Sequence, residues 1–274
     1  KHVSMVEIHP EEAIRNNVIG TRNLGEAAIK FGVGSFVNIS TDKAVDPHNF
    51  MGLSKKLTEL CIQEFAHQVS SEHLVTRFSN VRFGNVAGSA GSVIRLFWDQ
   101  IQRGGPIRVT DPQASRYFMA VSEAVHLILG AAELGNDGET FVFEMGEPFN
   151  IYELAKTMAL FSGLRPQRDI AVEFTGLRKG EKLHEQLWDS WERPAATSSR
   201  RILAIREKDP RSHNILASVR EMEQCLARED SSGLMACLGD LFPRFGTTRD
   251  PVRPPQGTFQ QAPKLAVVSP GEAA

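Results

Sequence analysis

Apolar positions along this chain alternate between helical and strand spacing, and the two kinds of segment follow one another. Between Pro10 and Phe31, Ile14, Val18, Thr21, Leu24 and Ala28 recur at helical intervals. Pro10 and Glu11-Glu12 suit a first turn, and Gly32 and Gly34 end the element. Phe36, Val37 and Ile39 form a short β-branched and aromatic run that reads as a buried strand over 35–40. Leu53, Leu57, Leu60, Cys61 and Phe65 then predict a helix over about 51–69, and Leu74 to Phe83 is β-rich again. Helix, strand, helix, strand is the rhythm of a parallel sheet.

Beyond Phe83 the elements become shorter. A small-residue loop, Gly84 to Ser92, precedes a helix carrying Val93, Ile94, Phe97, Trp98 and Ile101, which stops at Gly104-Gly105-Pro106. Strands are expected at 107–110, 141–145 and 170–174. Helices are expected from a Ser122 cap, from Asn150 with Glu153 three later to Gly163, and over 213–228 and 232–242. Residues 178–188 read as a loop and a short helix. From about Gly246 the chain is rich in Pro, Gly, Thr and Gln without periodicity, and 246–274 is expected to be a disordered tail.

Composition changes this picture only by exclusion. At 41% hydrophobic and 23% charged over 274 residues, the chain has the make-up of a globular protein. A net charge of −2 gives no bulk attraction for nucleic acid. The three cysteines, Cys61, Cys225 and Cys237, are far apart and lack metal-binding spacing, so no metal site and a reducing compartment are expected. No apolar run approaches the ~20 residues of a membrane-spanning helix. The chain opens on Lys1-His2-Val3, without Met or a preceding strand, and reads as a piece of a longer protein.

The candidate chemistry gathers at the end of the first strand. Ser40-Thr41-Asp42-Lys43 places a hydroxyl, a carboxylate and an amine side by side where open α/β sheets bind ligands. A buried Lys loses pKa and serves as a base, and a carboxyl in a closed pocket serves as an acid. Met51 and Lys55 are four apart and share one helix face. Gly88-Ser89-Ala90-Gly91-Ser92 sits before a helix N-terminus, a place that suits a phosphate. Arg116, Arg178, Lys179 and Lys182 are candidates to meet a diphosphate.

Several segments together resemble one family. They are Lys1-His2-Val3, Asn16-Asn17-Val18-Ile19-Gly20-Thr21, Ser40 to Val45, Met51-Gly52-Leu53-Ser54-Lys55, Val81-Arg82-Phe83-Gly84-Asn85-Val86, Gly91-Ser92-Val93, Ser115-Arg116-Tyr117-Phe118-Met119, Met145-Gly146-Glu147-Pro148 and Thr175 to Leu183. In order and spacing they are similar to the CapD-type polysaccharide biosynthesis proteins, nucleotide-sugar 4,6-dehydratases of the extended short-chain dehydrogenase/reductase family. The resemblance covers about residues 1–205. It implies an α/β fold: the C-terminal part of an NAD(P)-binding Rossmann-like parallel sheet, with a smaller α+β substrate-binding subdomain. On that basis 1–83 is the second half of the Rossmann-like domain with the catalytic segment. Residues 84–212 are mainly the substrate subdomain with returns to the sheet, and 213–245 are C-terminal helices.

The resemblance also implies roles. The cofactor, NAD or NADP, oxidises the sugar at C4 and returns the hydride at C6 after water has left C5 and C6. Asp42 is then the acid for the leaving hydroxyl, Lys43 the base at C5, and Thr41 a hydrogen-bond partner of the C4 oxygen. Lys55 holds the cofactor ribose, with Ser40, Asn17 and Lys1 also at the cofactor. Arg82, Asn85, Ser92, Arg116, Arg178 and Glu181 lie in segments that line the nucleotide-sugar site. Met51 stands where short-chain dehydrogenases carry Tyr and cannot ionise. The C4 proton is left with Asp42, Lys43 or an ordered water as its acceptor. The substrate implied is a UDP-sugar, UDP-N-acetylglucosamine, in a cytoplasmic homo-oligomer whose full-length form is membrane-attached. An epimerase or reductase of the same fold, and a non-catalytic interaction module, are the competing readings.

Overall fold

The computed structural model describes residues 2–89, 91–135, 138–207 and 214–245. Lys1 and the expected tail, 246–274, lie outside the described residues. The elements are, in chain order, α1 (Val3–Ile8), α2 (Pro10–Ala13), a π-helical segment (Ile14–Ile19), α3 (Gly20–Lys30), β1 (Ser35–Ile39), α4 (Phe50–Ser71), β2 (Arg77–Arg82), β3 (Asn85–Val86), α5 (Val93–Gln102), β4 (Ile107–Val109), β5 (Ser115–Arg116), β6 (Phe118–Met119), α6 (Val121–Leu134), β7 (Thr140–Phe143), β8 (Phe149–Asn150), α7 (Ile151–Phe161), β9 (Val172–Phe174), β10 (Glu192–Ala196), β11 (Ile202–Glu207), α8 (Ile215–Ala227) and α9 (Ser231–Phe245).

The main sheet has the order β1-β2-β7-β11-β10. β1, β2 and β7 are parallel, as the helix–strand rhythm requires, and Ile39 pairs with Val81 so that β1 and β2 end level. β11 and β10 extend the sheet antiparallel and were not legible in the sequence. Pro194 interrupts one, and the other is a short apolar run without alternation. Where a short helix is expected over 178–188 the chain is irregular. The α6 helix opens one residue before its expected cap. Ala120 is at the N-cap, and the Glu123 carboxylate accepts the Ala120 N–H.

Three apolar cores follow from this arrangement. The first packs α4 against the π-helical segment, Phe78, α8 and α9, through Leu57, Phe65, Val219 and Leu238. The second lies between the sheet and α6, and the third holds the small lobe of α5, α7, β4 and β9 together. The α4 helix is buried along most of its length. Gly52 permits its approach, because a Cβ there would strike the Lys43 carbonyl. Lys43 is thus held between its own strand end and the first turn of α4.

Candidate active site

The end of β1 is fixed by its neighbour strand. The Ser40 N–H donates to the Val81 carbonyl at 2.7 Å, and the Asp42 N–H donates to Phe83 at 3.2 Å. Thr41 caps a single 3-10 turn, Asp42–Ala44. The Thr41 hydroxyl donates to Asp42 Oδ1 at 2.8 Å, and Lys43 Nζ donates to the same oxygen at 2.9 Å. Lys43 also reaches Asn85 Oδ1 at 3.3 Å and lies 3.7 Å from Glu185 Oε1. Asp42 is fully buried, and its Oδ2 has no hydrogen-bond partner among the described residues.

Two cavities meet at Lys43 and Asn85. One, about 480 Å³, is lined by Asn17, Ser40, Thr41, Met51, Lys55, Ser92 and Phe118. The other, about 510 Å³, is lined by Arg116, Arg178, Lys179, Glu181, Glu185 and Glu7. The expected residues thus divide between two adjoining compartments that Lys43 faces on both sides, whereas Asp42 lines neither and meets them only through its bonds to Thr41 and Lys43. The Lys55 ammonium forms no hydrogen bond or ion pair with the described residues, while its carbonyl accepts from the Thr58 hydroxyl at 2.7 Å. Burial pulls its ammonium below the ordinary range against the opposing charge of Glu59. Lys43 shows the reverse balance. Burial works against its charge, but Asp42 and Glu185 outweigh it and hold the ammonium above the ordinary range.

The small lobe grips this turn from the far side. Lys182 Nζ donates to the Val45 carbonyl at 2.7 Å, and Asn49 Nδ2 donates to Gly180 at 2.8 Å. The Asp46 N–H donates to Asp189 Oδ1 at 2.8 Å. Arg116 is buried and donates to the carbonyls of Ser115, Leu183 and Lys182 and to Glu181 Oε1. Its fork holds the Glu181–Glu185 segment in shape.

Two sequence expectations change on this geometry. Arg82 lines neither cavity. Its guanidinium is buried and doubly paired, to Glu59 at 2.7 and 2.8 Å and to Glu192 at 2.7 and 2.9 Å. Four of its five N–H donors are spent on these carboxylates and neither cavity reaches it, so its work is structural. Lys182 is likewise spent on Val45 and is buried, while Arg178 and Lys179 do face the second cavity. Glu185 and Glu59 were missed. Glu59 anchors the start of the turn by accepting from the Ser40 hydroxyl at 2.5 Å. Neither lies in a local pattern that distinguishes it from the chain's other carboxylates.

The family model described as "Polysaccharide biosynthesis protein" matches residues 1–207. The chain belongs to this polysaccharide biosynthesis protein family. It is 50% identical over 187 residues to the capsular polysaccharide biosynthesis protein CapD of Staphylococcus aureus, covering 68% of this chain and 30% of that protein. It is 40% identical over 201 residues to a UDP-glucose 4-epimerase of Rickettsia rickettsii, covering 73% of this chain and 57% of that protein. The chain therefore spans about a third to somewhat over half of these relatives. Its fold is like that of DesIV, a dTDP-glucose 4,6-dehydratase of Streptomyces venezuelae with NAD and TYD bound. The TM-score is 0.57 at 20% identity, over 68% of this chain and 61% of that one. What the chain shares with this neighbour is the Rossmann-like parallel sheet.

Proposed function

We propose that this chain is the catalytic and substrate-binding portion of a nucleotide-sugar 4,6-dehydratase acting on UDP-N-acetylglucosamine. One observation carries the reading: Thr41, Asp42 and Lys43 form a continuous proton path, 2.8 and 2.9 Å long, at the junction of two cavities. Eliminating water across C5 and C6 needs an acid at one carbon and a base at its neighbour. Adjacent residues on one turn can serve both.

Met51 is buried and cannot take a proton, so the C4 hydroxyl must lose its proton elsewhere. Thr41 offers the route. Its hydroxyl accepts the C4 proton as it gives its own to Asp42 Oδ1. Asp42, now a carboxylic acid, protonates the C6 oxygen and water leaves. Lys43 removes the C5 proton and returns it later. The C4 proton thus ends in the water and the C5 proton goes back to carbon, so the account closes.

The residues present fit a dinucleotide. Lys55 brings an unpaired ammonium to the cavity that also holds Thr41, and Ser40 and Asn17 stand beside it. Asn17 is steadied by donating to Ser54 Oγ at 3.0 Å. Lys55, Ser40 and Asn17 would hold the ribose end of NAD or NADP, which when bound supplies hydride acceptance and return. On the other side, Arg116 orders the wall while Arg178 and Lys179 offer charge to the diphosphate of a UDP-sugar.

The identity to a UDP-glucose 4-epimerase favours a second reading, C4 epimerisation. That reaction needs no acid at C6, and so leaves the Asp42 carboxylate without a task. The full-length protein incubated with UDP-N-acetylglucosamine separates them. A product lighter by one water, with a C6 methyl group, is expected. It should be lost in Asp42→Asn and Lys43→Ala. A product of unchanged mass would contradict the dehydratase reading.

A further inference from the structure

The proton path above leaves one difficulty and one group unused. Lys43 must meet the C5 hydrogen as an amine, yet its surroundings hold it as an ammonium. The unused group is Glu185. Its side chain is 4% exposed, yet it borders the cavity that Arg178 and Lys179 line. Glu185 Oε1 lies 3.7 Å from Lys43 Nζ and 4.0 Å from Arg116 Nε. Among the described residues Glu185 Oε2 is buried without a hydrogen-bond partner, as is Asp42 Oδ2. A buried carboxylate oxygen with no donor disfavours the charged form, which readies the group to take a proton.

Lys43 is therefore flanked by two carboxylates, one on its own turn and one from the small lobe. We propose that Glu185 is a positioning residue that takes the surplus proton of Lys43, so that Lys43 meets the C5 hydrogen as a neutral amine; this rests on the dehydratase reading. In the step an N–H bond of Lys43 breaks and an O–H bond of Glu185 forms. Ammonium and carboxylate become amine and carboxylic acid, and the cluster's net charge is unchanged. Lys43 then takes the C5 proton and returns it to C5, while Glu185 keeps its proton. After product release the proton passes back to Lys43. No outside acid or oxidant is consumed.

The trigger is the protonation of Asp42. At 2.9 Å it is the nearer of the two counter-charges, and losing it weakens the hold on the Lys43 ammonium most. The groups facing Glu185 divide. Burial and Asp42 push its carboxyl above the ordinary range, while Lys43, Arg116 and Lys182 pull it down; the net direction is upward. Arg116 is already committed to four acceptors, so it steadies Glu185 without neutralising it fully.

The test uses the full-length protein with Glu185→Gln, which keeps the shape and removes the proton acceptor, and Glu185→Asp as the conservative variant. The first readout needs no turnover. Lys43 is acylated by an amine reagent across a pH series and its peptide is read by mass spectrometry, since only the amine reacts. Losing one counter-charge should raise labelling at a given pH below the midpoint about tenfold, a one-unit shift. The second readout is turnover of UDP-N-acetylglucosamine in D2O. At a pH well below the labelling midpoint, where Lys43 is almost wholly ammonium in either protein, deuterium entry at C5 in Glu185→Gln should fall about 100-fold for want of a proton acceptor and recover as pH rises toward that midpoint, while C4 oxidation changes by less than about threefold. Glu185→Asp should recover part of the exchange. An unchanged labelling midpoint, or equal losses of C4 oxidation and C5 exchange, would overturn the proposal in favour of a structural role. Should the wild-type protein form no 4-keto-6-deoxy sugar, the dehydratase reading fails, and the labelling midpoint still decides whether Glu185 governs Lys43.

Discussion

Two clusters of opposite charges lie close together in this protein, and they are built to different ends. In the first, Arg82 is buried between Glu59 and Glu192, and Lys56 sits 3.5–3.9 Å from Glu59, Glu192 and Asp189. Every guanidinium nitrogen of Arg82 is hydrogen-bonded, and neither of the two joined cavities reaches it. In the second, Lys43 lies between Asp42 and Glu185, each of which keeps one buried oxygen without a hydrogen bond among the described residues, and Lys43 opens the cluster onto both cavities. Residue types are the same in both. The first cluster also keeps one such oxygen, Asp189 Oδ2, so saturation does not divide them; access to the two joined cavities does, and it separates a structural ion cluster from a chemical one. Ser40 joins the two, since its hydroxyl is bound to Glu59 and its chain continues into Thr41.

The sharpest way to break this comparison is to exchange the outcomes of two substitutions. Asp42→Asn should lower dehydrated product by about 10²–10⁴-fold, the range for losing an acid–base group. Its stability should change by less than about 1.5 kcal/mol, because the amide oxygen still accepts from Thr41 and Lys43 keeps Glu185. Arg82→Ala should do the reverse in kind. It strands two buried carboxylates and should cost about 3–5 kcal/mol in denaturant unfolding. If Arg82→Ala unfolds like the wild type while Asp42→Asn unfolds early, the distinction between the clusters is wrong.

A smaller effect sharpens the same contrast through pH. Burial pushes the Asp189 carboxyl up to about 6 from 3.8, with Lys56 opposing and Glu192 adding. A carboxyl raised in the folded state contributes stability that is full below its unfolded value and is lost as pH rises through about 6. Glu192 runs the other way. Burial opposes its charge, but Arg82 and Lys56 hold it at about 2. Its contribution is present above 4.5 and lost as pH falls through 2. Asp189→Asn should therefore flatten the fall in unfolding free energy between pH 4 and 6, by up to about 3 kcal/mol. An unaltered pH profile would show that Asp189 is not the group titrating there.

The sequence carried the near half of the site. Thr41, Asp42 and Lys43 are consecutive and follow a readable strand, and Met51 and Lys55 share a face by helical spacing alone. Asn85, Arg116 and Arg178 line the cavities. What was hidden depends on distant partners. Arg82 looks like a substrate residue until Glu59 from α4 and Glu192 from β10 are seen to enclose it. Glu185 is one carboxylate among many until the Glu181–Glu185 segment is packed against Lys43 by the fork of Arg116. Ile202–Glu207 is set by antiparallel pairing with β7 and Glu192–Ala196 by pairing with Ile202–Glu207, and local propensity does not mark them. Pairing partners and burial of charge are tertiary facts, whereas strand ends and helix faces are local ones.

The central claim is that Asp42 and Lys43 carry out an elimination. It is tested most directly with UDP-N-acetylglucosamine bearing deuterium at C4 and the full-length protein. The deuterium is expected to appear in a C6 methyl group of a product that has lost water, since hydride leaves C4 and returns at C6. Deuterium retained at C4 of a sugar that keeps its C6 hydroxyl would contradict the claim.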